Sequence, residues 1–242
     1  MINLQIVRAN KTPDLNNKIS ELLNKEMPGS FQKFHKLNIN LVNLLVNNHF
    51  KCSTNDELND PYDLRIVLPD KALSDVWRSD ILKYEYDRLI KRRPEANHIN
   101  PLDGIKISCF CSYQNSVAMW AHYGDNFKGV CLYFNRNIDN KSKFLLMPVL
   151  YGSRRTRLKT EEEYFMYHFS KLKSWSTENE WRILTFNDYE KFPKSSLKKI
   201  VFGHNVKPHE INTIVDIAET YGYRCDYKRK VMHGNTLREG DL

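Results

Sequence analysis

The sequence predicts an α+β fold, a mixed and largely antiparallel split β-sheet with flanking helices. Three observations lead there. Strand-like and helix-like segments follow one another irregularly, several strand-like runs are joined by short connections, and 242 residues with 41% hydrophobic content suffice for one sizeable core. The expected organisation is a single domain over residues 1–242, with 1–28 as an N-terminal helical extension and 29–242 as the core.

The elements follow in order. Thr12-Pro13-Asp14 opens a helix whose apolar face is Leu15, Ile19, Leu22 and Leu23, and Pro28-Gly29 ends it. A strand at 30–35, a helix with Leu41, Leu44 and Leu45 inward, and a strand at 50–53 come next. Leu73, Val76, Trp77, Ile81 and Tyr84 recur at helical spacing between Asp70 and Arg92, and the proline- and asparagine-rich stretch 93–102 is a loop. Strands are expected at 104–111, 129–135 and 145–151, with a helix at 115–123. In the second of these strands Val130, Leu132 and Phe134 share one face. Thr160 caps a helix running to Lys173, with Glu161, Glu162 and Glu163 at its positive end. Strands at 181–186 and 197–202, a helix opened by Lys207-Pro208 and carrying Ile211, Ile214, Val215 and Ile217, and a last strand at 223–227 complete the chain.

Composition narrows the function classes. Lys and Arg number 37 against 29 Asp and Glu, a formal charge of +8 that permits attraction to nucleic acid, nucleotides or anionic surfaces. The excess is spread out, and clusters such as Lys91-Arg92-Arg93 and Lys228-Arg229-Lys230 read first as solvated surface. No apolar run approaches the roughly 20 residues of a membrane-spanning helix, and the N-terminus lacks an export pattern, so the expectation is a cytoplasmic protein with no membrane partner. Five cysteines fit reduced thiols. Cys109 and Cys111 lack the second paired cluster of a zinc site and read as small buried side chains, so no metal is expected. P-loop, dinucleotide-binding glycine, zincin and nucleophile-elbow motifs are all missing, which argues against the chemistries they serve.

Three segments carry polar groups that suit a site. Asn59-Asp60-Pro61 lies in an acid- and amide-rich stretch after a strand, where such residues either build a tight turn or orient a ligand. In Met119-Trp120-Ala121-His122-Tyr123, positions 119, 120 and 123 share a helical face and fit a core. His122 points elsewhere, as a structural group or as the wall of a pocket in which Tyr123 or Trp120 stacks on a planar ligand. Glu178 and Glu180, two residues apart at the mouth of a strand with Arg182 beyond, form either an ion pair or a carboxylate site for a sugar hydroxyl beside developing positive charge.

Taken together these segments resemble the bacterial family labelled domain of unknown function 2971. Gln32-Lys33-Phe34-His35 corresponds to its first strand, Leu58-Asn59-Asp60-Pro61-Tyr62-Asp63 to its Asn-Asp-Pro motif, and Ser108-Cys109-Phe110-Cys111-Ser112 to its Cys-Phe-Ser strand. Met119-Trp120-Ala121-His122-Tyr123, Lys128-Gly129-Val130-Cys131, and Lys171, Trp175, Glu178, Glu180, Trp181 and Arg182 correspond to the rest, in order, across about residues 30 to 205. His35 stands where arginine is usual in that family. The opening at residues 34–53 and the Glu178-Asn179-Glu180 close also look similar to the ADP-ribosyltransferase fold, a resemblance in pattern that does not fix a reaction.

That second resemblance implies NAD as the nucleotide ligand. His35 or Lys33 would hold its ribose or diphosphate, Tyr123 or Trp120 would stack on nicotinamide, and Glu180 with Glu178 would serve the reacting ribose. Asn59, Asp60, His122 and Arg182 would shape the site, and a protein, a nucleic acid or water would be the acceptor, in a toxin or phage-defence setting. Two other classes stand beside it: a non-catalytic nucleotide-sensing or interaction module, and a nucleic-acid-binding or processing protein.

Overall fold

The computed structural model describes residues 27–58, 60, 63, 89, 91, 104–112, 116–138, 145–152, 167–234 and 236–242. The helix expected before Pro28, that over 70–92 apart from Leu89 and Lys91, the loop at 93–102 and Asn59 lie outside the described residues.

The strands are β1 (Ser30–His35), β2 (His49–Lys51), β3 (Lys106–Ser112), β4 (Val130–Asn135), β5 (Leu145–Pro148), β6 (Leu150–Gly152), β7 (Ser170–Leu172), β8 (Glu180–Thr185), β9 (Tyr189–Lys191), β10 (Leu197–Phe202), β11 (Asp226–His233) and β12 (Thr236–Gly240). The described helices are α1 (Ile39–Asn47), α2 (Val117–His122) and α3 (Pro208–Thr220). Eight strands form one sheet in the order β12-β11-β10-β4-β1-β3-β8-β5, and the pairs β2-β9 and β6-β7 form two small sheets. Within the large sheet β10 and β11 run parallel, joined through α3, and the other pairs are antiparallel. The fold is α+β with a large mixed sheet. No helix among the described residues is long and apolar enough to cross a membrane.

The helices form where capping and periodicity agree. Asn38 accepts the backbone N–H groups of Asn40 and Leu41 at the start of α1, which buries Leu41, Leu44 and Leu45 and ends at Asn48 in the left-handed region. Pro208 opens α3, the Glu210 carboxylate accepts the Lys207 N–H, and Ile211, Ile214 and Ala218 turn inward. Both helices belong to the main core, in which Phe31, Phe50, Phe110, Phe134 and Phe192 meet mostly edge to face.

Strand alternation sorts side chains onto two faces of the sheet. Phe31, Phe110, Leu132, Phe134, Trp181, Ile183, Ile200 and Phe202 face the main core. The opposite face carries a smaller cluster of Trp120, Cys131, Tyr133 and Val201, with Phe34 packed against it.

Several elements differ from expectation, among them the following. The helix expected to reach Lys173 has given way by Ser170 to β7, which pairs in parallel with β6 and leads into a 3₁₀ turn over Lys173–Glu178. The C-terminal strand is a hairpin, β11 and β12, turning at Gly234 with φ of 58°. Lys230, read as surface, is buried, and its ammonium pairs with Glu239 across that hairpin.

Candidate functional site

The central sheet is split. β1 pairs with β4 along its whole length, but with β3 only at Phe31↔Ser112 and Gln32↔Cys111. Beyond Gln32 the two strands part, and the Lys33 ammonium spans the gap, donating to the Cys109 carbonyl at 2.8 Å and to Ser108 Oγ at 2.9 Å. A cleft of about 530 Å³ opens at this split, lined from both faces of the sheet: Lys33, Ser108 and Phe110 from one, Cys109, Cys111 and Glu180 from the other. Its volume is that of a site for a small organic ligand.

One side of the cleft is a network of buried charges. Arg182, with 0% exposure, uses all five of its N–H donors: Nε on Glu180 at 2.7 Å, one terminal nitrogen on Asp63 Oδ1 and the His168 carbonyl, both at 2.9 Å, and the other on Asp63 Oδ2 and Glu180. Lys171 donates to Glu178 at 2.5 Å and to Glu180 at 3.2 Å, and lies 4.7 Å from the centre of the Trp175 ring. The Tyr123 hydroxyl donates to the other oxygen of Glu178.

The two glutamates differ in their balance of burial and charge. Burial raises the Glu180 pKa, but Arg182 and Lys171 outweigh it and hold the carboxyl at about 2. For Glu178 burial wins over Lys171 and Tyr123, and its pKa stands above the ordinary carboxylate range. Glu180 therefore stays an anion whose oxygens already accept three charged N–H bonds. Glu178 accepts one bond on each oxygen and has lone pairs to spare.

The other side of the split is poor in counter-charge. Lys33 lies 4.7 Å from the centre of the Phe110 ring, and burial drives its pKa down against the opposing pull of Cys109, Cys52 and Glu180. His35, two residues along, is pushed by burial and then by Lys33 to about 3 and is neutral at ordinary pH. Lys36 and Lys51 also line the cleft, Lys36 at 4.0 Å from Asp125 and Lys51 paired with Glu57.

The turn after α2 fixes Tyr123. Ser116 caps the helix, and Tyr123 closes it with its N–H on the Met119 carbonyl. Asp125, Asn126 and Phe127 then follow at φ of 50°, 52° and 65°, three successive residues in a region that costs L-residues about 1–2 kcal/mol each. Stacking of Phe127 on Trp120 at 5.7 Å and the Asn205 N–H on the Phe127 carbonyl at 2.9 Å offset that cost. Glycine is required on either side: a Cβ at Gly129 would lie 2.2 Å from the His35 carbonyl oxygen, and one at Gly203 would lie 2.1 Å from that of Phe127.

Of the residues singled out in the sequence, Lys33, His122, Tyr123, Glu178 and Glu180 line the cleft. His35 does not. By strand alternation it shares the face of Lys33, opposite that of Glu180, and stands behind Lys33 rather than among the lining residues. Trp120 is 1% exposed between Phe34 and Phe127, so it supports Tyr123 from the core and offers no ligand surface. Arg182 does not line the cleft itself and acts on it through Glu180 and Asp63, which do. Asp60 is buried, and its carbonyl accepts the Asp63 N–H in the turn that presents Asp63 to Arg182. Asp63 and Lys171 carry no expected role, although the Asn-Asp-Pro motif contains the first and the spacing of Lys171, Trp175, Glu178 and Glu180 the second. No group of three or more potential metal ligands occurs among the described residues.

This α+β architecture, with a charged cleft at a split in its sheet, frames the comparisons with known proteins. Residues 119–183, from α2 into β8, match the model of the family described as protein of unknown function, DUF2971, and over that stretch the resemblance read from the motifs holds. No curated protein matches the chain. Among solved structures, DarT of Thermus sp. 2.9 in complex with ADP-ribosylated ssDNA is similar at 11% identity over 83% of this chain and 93% of that one, with a TM-score of 0.39. The same protein in complex with NAD+ is similar at 11% identity, 84% and 96% coverage and a TM-score of 0.37.

Proposed function

We propose that the chain is an ADP-ribosyltransferase-like enzyme that uses NAD to modify a macromolecular acceptor. One observation carries the reading: Lys33 from β1 and Glu180 from β8 line the same cleft across the sheet split, an arrangement suited to a ligand with a diphosphate at one end and a reacting ribose at the other. Lys33, with Lys36 and Lys51 nearer the mouth, would hold the diphosphate. Tyr123 would pack against nicotinamide, and His122 would stand at the acceptor's entrance. The chemistry supplied by NAD is the departure of nicotinamide from ribose C1′, which leaves positive charge there for the acceptor to quench. Glu180, a fixed anion near 2, stabilises that charge without reorganising. Glu178, with free lone pairs and a raised pKa, accepts a ribose hydroxyl or takes the acceptor's proton.

The test is to incubate the purified protein with NAD labelled in its adenylate half, with and without lysate, and to measure released nicotinamide and label on macromolecules. Turnover is expected to fall about 100-fold or more in Glu180→Gln. Absence of both products with every acceptor fraction overturns the transferase reading. A second reading, a nucleotide-sensing module that binds without turnover, is favoured by the three bonds already made to Glu180. Thermal stabilisation by NAD with no nicotinamide released would select it.

A further inference from the structure

β2 and β9 form a two-stranded ribbon whose faces have different fates. The inner face is committed to the core: Phe50 is fully buried, and the buried Glu190 carboxylate accepts from the Thr185 hydroxyl and, at 2.9 Å, from Asn187. The register His49↔Lys191, Phe50↔Glu190 and Lys51↔Tyr189 puts the other four side chains, His49, Lys51, Tyr189 and Lys191, on the outer face. There the Tyr189 ring stacks on that of His49, with centroids 4.2 Å apart and planes 24° from parallel. Tyr189 nevertheless stays 50% exposed, so the stack orients the ring without covering it. A large aromatic surface held in place and left in water is one that a second planar group can cover.

Charge is sorted on this surface as well. Lys51 pairs with Glu57 and Lys106 with Asp188, whereas Lys191 is exposed and has no carboxylate partner among the described residues. Burial and the neighbouring Lys191 both lower the His49 pKa, so the ring beneath Tyr189 is neutral at ordinary pH and Lys191 is the charge the face presents. Lys51 also lines the cleft, and the ribbon therefore adjoins the cleft mouth.

We infer that the outer face of the β2-β9 ribbon binds single-stranded nucleic acid, with a base stacked on Tyr189 and a phosphate on Lys191. An oriented ring beside an unpaired amine supplies the two contacts of sequence-tolerant single-strand recognition, and DNA and RNA share the chemistry that meets them. In a duplex the base faces are already covered by their neighbours and cannot use the tyrosine. An acidic peptide would satisfy Lys191 and leave the ring in water. Binding here needs no NAD, so it stands or falls apart from the transferase reading.

The experiment titrates the full chain, without NAD, into labelled oligothymidylate and oligouridylate of about 12 nucleotides and into a DNA duplex of that length, and follows anisotropy. Both single strands are expected to bind, and the duplex about tenfold more weakly. Tyr189→Ala should weaken single-strand binding about tenfold, while Tyr189→Phe, which keeps the ring, should not. Lys191→Gln should reduce the slope of log affinity against log salt by about 0.7, the share of one phosphate on a single strand. Lys228→Gln, on the C-terminal hairpin, is the control for general charge and should change the affinity less than either. The inference is overturned if the native chain does not bind single strands, binds the duplex as tightly, or releases the strand equally well to oligoglutamate. It is also overturned if Tyr189→Ala binds no more weakly than Lys228→Gln. The comparisons among ligands are read on the unaltered chain, so a variant that fails to fold does not affect them.

Discussion

The two sides of the sheet split handle buried charge in opposite ways. On the β8 side Arg182, Lys171, Glu180, Glu178 and Asp63 are all buried and interlocked, so each ion is stabilised by another. On the β1 side Lys33 and His35 are half-buried without opposite charges, and both are driven toward neutrality. A saturated network is rigid and expensive to break because removing one member strands the rest. An uncompensated group costs little to remove. The saturated side is thus suited to holding a ligand in register, and the uncompensated side to receiving an anion.

The sharpest way to break this comparison is to remove the central cation from each side. Arg182→Met strands Glu180 and Asp63 and should cost about 3–5 kcal/mol in urea unfolding. Lys33→Met leaves only the Cys109 carbonyl and Ser108 without a donor and should cost about 1–2 kcal/mol. Equal losses would mean that the two sides do not differ as described. Next in size, Glu180→Gln gives up charge-assisted bonds from Arg182 and Lys171 and should cost about 2–3 kcal/mol. Glu178→Gln should cost about 1 kcal/mol, since burial already disfavours the charge it removes. Of the same size, Tyr123→Phe deletes a donor to Glu178 and should cost about 1 kcal/mol. Its more telling readout is a further rise of the Glu178 pKa, followed by carboxyl NMR titration, because the lost hydrogen bond favours the anion.

Local pattern made much of the fold legible in the sequence. β1, β10, α1 and α3 fall where alternation, helical spacing and caps coincide, as with Asn38 and Pro208. β7 was illegible because three residues carry no period, and the glutamates at 161–163 suggested a helix running through it. β11 and β12 were hidden by their charges: Lys228-Arg229-Lys230 reads as surface until Gly234 turns the chain and brings Glu239 and Asp241 alongside. The site was half legible for a similar reason. Glu178 and Glu180 are visible as a pair, but the spacing suggests one strand face. Asn179, at φ of 46°, sets Glu178 in a turn so that both carboxylates reach Lys171. Asp63 meets Arg182 across 119 residues of sequence, a distance no local pattern spans.

The finest test separates the two sides by pH. His35 has a folded pKa of about 3 against an ordinary 6.5, so between those values the unfolded chain takes up a proton that the folded chain refuses. Stability therefore falls as pH drops through that window, by at most about 1.4 kcal/mol per pH unit from this one group. Glu180, near 2 against an ordinary 4.5, contributes stability that is complete above 4.5 and lost as pH falls toward 2. Glu178, with a raised pKa, acts with the opposite sign, its burial penalty lifting as it protonates. Above pH 4.5 the Glu180 contribution is flat, and subtracting the His35→Phe profile from that of the native chain cancels Glu178. The difference should slope downward with acid between 6.5 and 4.5 in urea midpoints taken across that range. A flat difference would mean that His35 is solvated or has found a partner, and the β1 side would then be as compensated as the β8 side.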